Sequence, residues 1–442
     1  MQEENNVTVD EMQTVSDEAA ETEQNASVSK ACESQDECVS KTDGAESAQT
    51  SAQDSEESRA SEECTQASAQ NSDKCAEEAE CGILSDMSGR RDAKLAEKKR
   101  KKKLAKQIVL PIVFALLFVF VLNIIILPLT GNGARVDSVD SYDGDNQYIV
   151  IGKETGTMLS AHRAGGDLEP EETLAAFKNC MESTHVDIVE FDLHLTRDGH
   201  LVLMHDHEVD RTSDGPIVFG EKKVRIQDKT LAELKTLNFG YNFQLPDGSY
   251  PYREQGADLT DVRILELTEV LTYLKSVRGD DLTYIIEIKD KGSVGKEAMD
   301  KLYEAMKQFN IVDKTIVGTF NGDISRYIDD VYRSKGVKRS AGILEVLNFY
   351  YAFLWGVKQN PDKLNYDVLQ IPMGFDGFFD LSTKAFIDYA HSLGIAVQYW
   401  TINEEDDMRT LLANGADAIM TDNPELANEV MDDMRASGAM RF

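Results

Sequence analysis

From residue 158 onward the chain alternates between two kinds of segment. Apolar runs at 158–162, 186–195, 201–205, 283–288, 315–320, 339–344, 368–371, 396–401 and 418–421 read as strands. Stretches at 173–183, 265–277, 295–308, 323–335, 383–393 and 404–414 space their apolar residues as helices do. Strand then helix, repeated about eight times over some 270 residues, implies parallel strands with helical crossovers. The natural closure of that count is an α/β fold of the TIM (β/α)8 barrel type. Residues 222–263 interrupt the rhythm and read as a helix plus a long excursion.

Side chains alternate across a strand with period two. In the run 186–195, Val186, Ile188, Glu190, Asp192 and His194 share one face, and Val189, Phe191, Leu193 and Leu195 share the other. Both faces are apolar until the polar end, as expected where one lines a barrel and one packs helices. Glu190 and Asp192 therefore point the same way, two oxygen-rich groups suited to one hard cation. His162 and His205 each follow an apolar run, the position that barrel active sites occupy. A histidine titrates near neutral pH, so this pair fits general base and general acid.

The ordered motifs carry a resemblance. His162-Arg163 comes first, then Pro170-Glu171-Glu172-Thr173, Glu190-Phe191-Asp192, His205-Asp206 and Asp210-Arg211-Thr212. Ile286-Glu287-Ile288-Lys289, Trp400-Thr401-Ile402-Asn403 and Thr421-Asp422-Asn423-Pro424 follow. This series resembles the glycerophosphodiester phosphodiesterase family over roughly residues 157–430. The resemblance implies that Glu190, Asp192 and Glu287 hold one divalent cation, Ca²⁺ or Mg²⁺, and that His162 and His205 are the acid–base pair. It places Glu171 in the site wall. Arg163 and Lys289 suit the phosphate, Arg through its planar fork and Lys as a point charge. Trp400 suits either a wall for glycerol carbons or simple filling of the barrel mouth. Two departures stand out: Ala164 where the family has glycine, and Glu172 where it has asparagine. His207 lies beyond its strand end and has no assigned role, and His185, His194, His200 and His391 read as surface or core residues.

The remainder of the chain is organised by charge. Residues 1–89 hold 23 acidic and four basic residues and no aromatic one, so they cannot bury enough apolar surface to offset the entropy of ordering. A disordered acidic tail is expected there. Residues 90–106 are basic, centred on Lys98-Lys99-Arg100-Lys101-Lys102-Lys103, and 107–129 are almost purely apolar. About 22 apolar residues reach across a bilayer core of roughly 30 Å as a helix. A single transmembrane helix is expected, with the tail cytoplasmic and the C-terminal domain outside. The lysines are placed to contact anionic lipid. Residues 130–156 read as a linker and 431–442 as a tail. Five of the six cysteines lie before the basic segment, widely spaced and without histidine companions, and Cys180 is alone beyond it. Neither a zinc site nor a disulfide framework is expected.

The expected activity is hydrolysis of glycerophosphodiesters to glycerol 3-phosphate and an alcohol. The region after Leu129 carries roughly 20 more acidic than basic residues, a field that repels long polyanions, so nucleic acid is not an expected partner. Two alternatives remain open: a lysophospholipase D-like or other lipid phosphodiesterase at the membrane surface, and a catalytically silent membrane sensor that binds a phosphorylated ligand.

Overall fold

The computed structural model describes residues 138–375 and 379–441, with 111, 114, 115, 117, 118, 120 and 136. The acidic tail, the basic segment and most of the apolar span fall outside the described residues. Of that span, six residues between 111 and 120 are described as helical, and Phe114, Leu117, Phe118 and Phe120 are exposed. Among the described residues, no helix is long and apolar enough to cross a membrane.

The elements are β1 (Met158–Ala161), α1 (Leu174–Ser183), β2 (Ile188–Leu195), β3 (Leu201–Leu203), α2 (Gly215–Phe219), α3 (Leu231–Leu234), α4 (Leu267–Arg278), β4 (Thr283–Ile288), α5 (Gly292–Gln308), β5 (Thr315–Gly318), α6 (Gly322–Val331), β6 (Lys338–Arg339) and α7 (Ile343–Leu354). Then come β7 (Val368–Ile371), β8 (Gly374–Phe375), β9 (Phe379–Asp380), α8 (Lys384–Ser392), β10 (Ala396–Tyr399), α9 (Glu405–Asn414), β11 (Ala418–Thr421) and α10 (Pro424–Ser437). Eight strands pair in parallel in the order β6-β5-β4-β2-β1-β11-β10-β7. A parallel bridge from Ser340 to Val368 brings the first of these against the last, with Ala341 N donating to Val368 O at 2.9 Å. The result is a (β/α)8 barrel.

Period-two packing sets its contents. Met158, Ile188, Ile285, Ile316, Val368, Ala396 and Ala418 cluster inside, near the amino ends of their strands. Their neighbours Leu159, Val189, Ile286, Val317, Leu369, Val397 and Ile419 face the helices in the main core. Two residues further along each inward row stand Ser160, Glu190, Glu287, Gly318, Gln370, Gln398 and Met420. One more step reaches His162, Asp192, Lys289, Trp400 and Asp422, so the chemistry collects at the carboxyl ends, where barrel sites form.

Four expectations are corrected. The run at 201–205 is no barrel strand: β3 folds back antiparallel on β2, with Leu193 opposite Leu203 and Leu195 opposite Leu201. The run at 339–344 contributes only Lys338–Arg339 to the sheet, and its end starts α7. The expected tail at 431–442 belongs largely to α10, which buries Met431 and Met434, and Met440 is buried beyond it. The expected linker at 130–156 is a linker only in part. Tyr148, Ile149 and Ile151 pack into the inner cluster at the amino ends of the strands. Asn146 Nδ2 donates to Asp367 O at 2.7 Å and to Gly394 O at 2.9 Å. Val150 N donates to Asp417 Oδ1 at 2.9 Å. Residues 146–151 therefore plug the end of the barrel opposite the chemistry.

Ile149 is fully buried in that plug. Ile149→Ala should cost about 2–5 kcal/mol through lost burial and the cavity left behind, measured by denaturant titration, with kcat unchanged. The excursion between β3 and α4 has a core of its own: Val202, Met204, Val209, Val224, Ile226, Leu234, Leu237, Phe239 and Ile264.

Candidate active site

β1 ends at Ala161, and the chain turns through His162, Arg163 and Ala164. His162 Nδ1 lies 2.6 Å from Asp422 Oδ1, at the end of the neighbouring strand β11. Asn403 Nδ2 donates to Asp422 Oδ2 at 2.9 Å, and Asp422 N donates to Asn403 Oδ1 at 3.0 Å, which fixes the carboxylate. Burial opposes charge on both members. The charge and hydrogen bond of Asp422, with Glu190, together nevertheless raise the His162 pKa, while His162 and Asn403 hold Asp422 down at about 2. Across the mouth, His205 Nδ1 lies 2.7 Å from Asp206 Oδ1. Arg211 Nε donates to Asp206 Oδ2 at 2.6 Å, and its guanidinium also grips Glu171 at 2.6 and 2.8 Å. Against the cost of burial, His205 and Arg211 lower the pKa of Asp206, and Arg163 with Arg211 lowers that of Glu171.

The acids stand between the two dyads. Strand pairing puts Asp192 opposite Glu287. Lys289 Nζ lies 3.1 Å from Asp192 Oδ1 and 3.0 Å from Glu287 Oε1. Glu190 Oε2 accepts from Arg163 N at 2.8 Å. Arg163 Nη1 is 3.5 Å from Glu171 Oε1, and its Nε is 3.8 Å from Asp192 Oδ2. Burial and the Asp192 charge raise the Glu190 pKa, and burial likewise raises that of Glu287. Asp192 moves down despite burial because Lys289 and the histidines surround it. Glu190 and Asp192 are 4% and 1% exposed, so their mutual repulsion is poorly screened. Asp192 Oδ2 has no hydrogen-bond partner among the described residues. An all-oxygen set with an orphaned buried oxygen fits a hard divalent cation.

Two of the residues that position the site occupy left-handed backbone, Ala164 at φ 64° and Glu172 at φ 58°. Glycine and asparagine tolerate that region best, whereas other residues are held there at a cost of about 1 kcal/mol. The two departures from the family pattern thus fall at turns that the surrounding fold enforces without the favoured residue.

All nine residues singled out in the sequence come to this end of the barrel. Trp400 packs edge-on to Phe320 at 6.0 Å, and Lys289 Nζ lies 5.9 Å from the Phe320 ring, so an aromatic pair flanks the lysine. Sequence reading had assigned no role to Asp422, Asn403, Asp206, Arg211, Glu172 or Phe320. Five of them lie inside motifs already quoted, and Phe320 lies outside them. His194, His207 and Asp290 form a second group with ligand atoms within 4.8 Å of one another. There, His194 Nδ1 lies 2.8 Å from Asp290 Oδ1, which also accepts from Gln227, and Leu195 N donates to Asp290 Oδ2. His194 Nε2 faces His205 O at 3.4 Å. That group braces the hairpin carrying His205.

Two His–carboxylate pairs thus flank a buried set of acids at the mouth of a parallel (β/α)8 barrel. The model of the "Glycerophosphoryl diester phosphodiesterase family" matches residues 162–426, and the chain belongs to that family. It is 30% identical over 273 residues to the glycerophosphodiester phosphodiesterase of Caldanaerobacter subterraneus subsp. tengcongensis, covering 61% of this chain and 95% of that one. It is 24% identical over 282 residues to the enzyme of the same name from Bacillus altitudinis, covering 63% and 100%. The crystal structure of a glycerophosphoryl diester phosphodiesterase domain from Mycobacterium tuberculosis shares the fold with TM-score 0.51 at 20% identity, covering 62% of this chain and 98% of that one. The chain is a glycerophosphodiester phosphodiesterase.

Proposed function

We propose that the protein is a membrane-anchored, cation-dependent enzyme that cleaves water-soluble glycerophosphodiesters into glycerol 3-phosphate and an alcohol. The observation that carries this reading is the buried set Glu190, Asp192, Glu287 and Lys289 lying between two His–Asp dyads. In each dyad a carboxylate at Nδ1 orients the ring, and the proposed proton exchange with the substrate runs through Nε2. One histidine takes the proton from the attacking hydroxyl, and the other gives a proton to the departing alkoxide. The attacking hydroxyl is the glycerol 2-OH or a water. Glu190, Asp192 and Glu287 would hold Ca²⁺ or Mg²⁺, which when bound would supply positive charge to the phosphate. Lys289 and Arg163 add positive charge beside it, Glu171 holds Arg163 and Arg211 in place, and Trp400 with Phe320 offers a wall for the glycerol carbons.

The anchor rests on the apolar run after the lysine cluster, with Phe114, Leu117, Phe118 and Phe120 exposed. The positive-inside rule puts the barrel outside the cytoplasm. The chain enters the barrel at the plugged end, so the catalytic mouth opens away from its tether. Only residues 130–135 lie between the apolar run and Val136, which packs against the main core, and six residues reach only roughly 12–15 Å. Both points favour dissolved substrates over lipids still in the bilayer. The test incubates the purified chain with glycerophosphocholine, glycerophosphoethanolamine and lysolipids, and follows glycerol 3-phosphate with a coupled dehydrogenase. Turnover of the two small diesters ahead of lysolipids is expected. No turnover of either, with cleavage of a cyclic nucleotide instead, would refute the reading. Protease added to intact cells should remove the barrel and spare an epitope placed before Arg90; the reverse pattern would overturn the topology.

A further inference from the structure

Glu172 stands where the resemblance calls for asparagine, and the structure makes that acid hard to explain as a packing residue. It is 3% exposed. Its Oε1 accepts from Asp192 N at 2.6 Å, a bond that an amide oxygen makes equally well. Its Oε2 has no hydrogen-bond partner among the described residues. The acids Asp192, Glu171 and Glu190 crowd round it. Arg163, which senses the Glu172 charge, is already shared with Glu171 and Asp192. The backbone is left-handed at this residue, where asparagine is favoured. A carboxyl group is thus buried, half-bonded, on unfavourable backbone and among like charges. Burial, the unpartnered oxygen and the like charges each disfavour a charged side chain here, and a cation in the adjoining site would turn that charge into an advantage.

We infer that Glu172 is a further cation-holding acid of this centre, bracing the Asp192 backbone through Oε1 and adding the charge of its carboxylate to the pull on the cation. The inference rests on the cation site proposed above. The affinity of oxygen-lined cation sites follows the number of charged ligands over several decades. A fourth acid should therefore tighten binding relative to a site built on Glu190, Asp192 and Glu287 alone.

The decisive variant is Glu172→Gln, which keeps an oxygen for Asp192 N and removes the charge; Glu172→Asn supplies the residue better suited to the backbone. The full chain is titrated with Ca²⁺ and separately with Mg²⁺ by calorimetry, and melted in chelator. Glu172→Gln and Glu172→Asn should each bind the cation at least roughly tenfold more weakly, while melting in chelator no lower than the parent. Glu190→Gln, Asp192→Asn and Glu287→Gln serve as reference variants. If these three lose affinity while Glu172→Gln stays within about twofold of the parent, the inference is wrong and the cation site stands. If none of the three loses affinity, the site itself falls, and the role of Glu172 with it. A Glu172→Gln chain that melts markedly lower in chelator would mark the residue as structural and also overturn the inference.

Discussion

Alanine at His162 or at His205 is expected to lower kcat by about 10²- to 10⁴-fold, the range for losing a positioned proton-transfer group. The fold should survive, because each ring lies at the mouth and neither strand end depends on it. Circular dichroism and cation affinity near the parent values would confirm that only the chemistry is lost. The dyads add a sign that can be checked. The Asp422 charge raises the His162 pKa. Removing that charge in Asp422→Asn must therefore lower it, so the limb of the pH–rate profile governed by His162 moves to lower pH. Asn403 still bonds the amide that replaces the carboxylate, which limits the structural damage. Near-parent turnover in either alanine variant with the cation bound would rule that histidine out. An unmoved limb in Asp422→Asn would separate His162 from the pH profile.

Chelation is expected to abolish turnover, and Ca²⁺ or Mg²⁺ to restore it. The physical reason lies in the crowding of the acids. Glu190 and Glu287 have raised pKa values because burial and neighbouring acids disfavour their charge. Lys289 and Arg163 offset only part of that repulsion. A cation at about a hundredfold over its dissociation constant adds roughly 2.7 kcal/mol to the folded state, a rise in melting temperature of roughly 5 °C for a domain of this size. Glu190→Gln removes one repelling charge. It should melt at least as high as the parent in chelator, yet gain little from added cation and turn over poorly. Calorimetric scans with and without cation check both halves. Full activity in chelator would remove the cation from the mechanism.

The sequence was most informative where period two met a strand with both faces buried. The row Ile188, Glu190, Asp192 lines the barrel, and Val189, Phe191, Leu193 packs helices, as the alternation of apolar and acidic residues implies. It was least informative where an apolar run carries no direction. Leu201–Leu203 satisfies a strand pattern whether it runs parallel in a barrel or returns as a hairpin. The Asp198-Gly199 pair just before it is the turn signal that favours the hairpin. Helix α7 escaped because Ile343–Leu354 is apolar nearly all round, which blurs its periodicity. The His162–Asp422 pair was hidden for another reason. It joins residues 260 positions apart, and only the closure of β11 onto β1 brings them together. The plug was misread because Gln147–Gly152 has a polar, glycine-flanked context, and only the open end of a barrel gives its apolar residues somewhere to go.

The excursion between β3 and α4 keeps a core apart from that of the barrel. His162, Glu190, Asp192 and Glu287 are carried by barrel strands. His205 follows Met204, which packs with Val209, Phe239 and Ile264 in the smaller cluster. The two histidines thus hang from separate packing units, joined at the mouth by Arg211 to Glu171 and by Tyr252 to Glu169 at 2.6 Å. Smaller units open at lower free energy than the whole. The population that retains a folded barrel but has lost the register between its two proton carriers is then set by the excursion alone, and hydrogen exchange at Val209 and Phe239, compared with Val189 and Ile286, measures it.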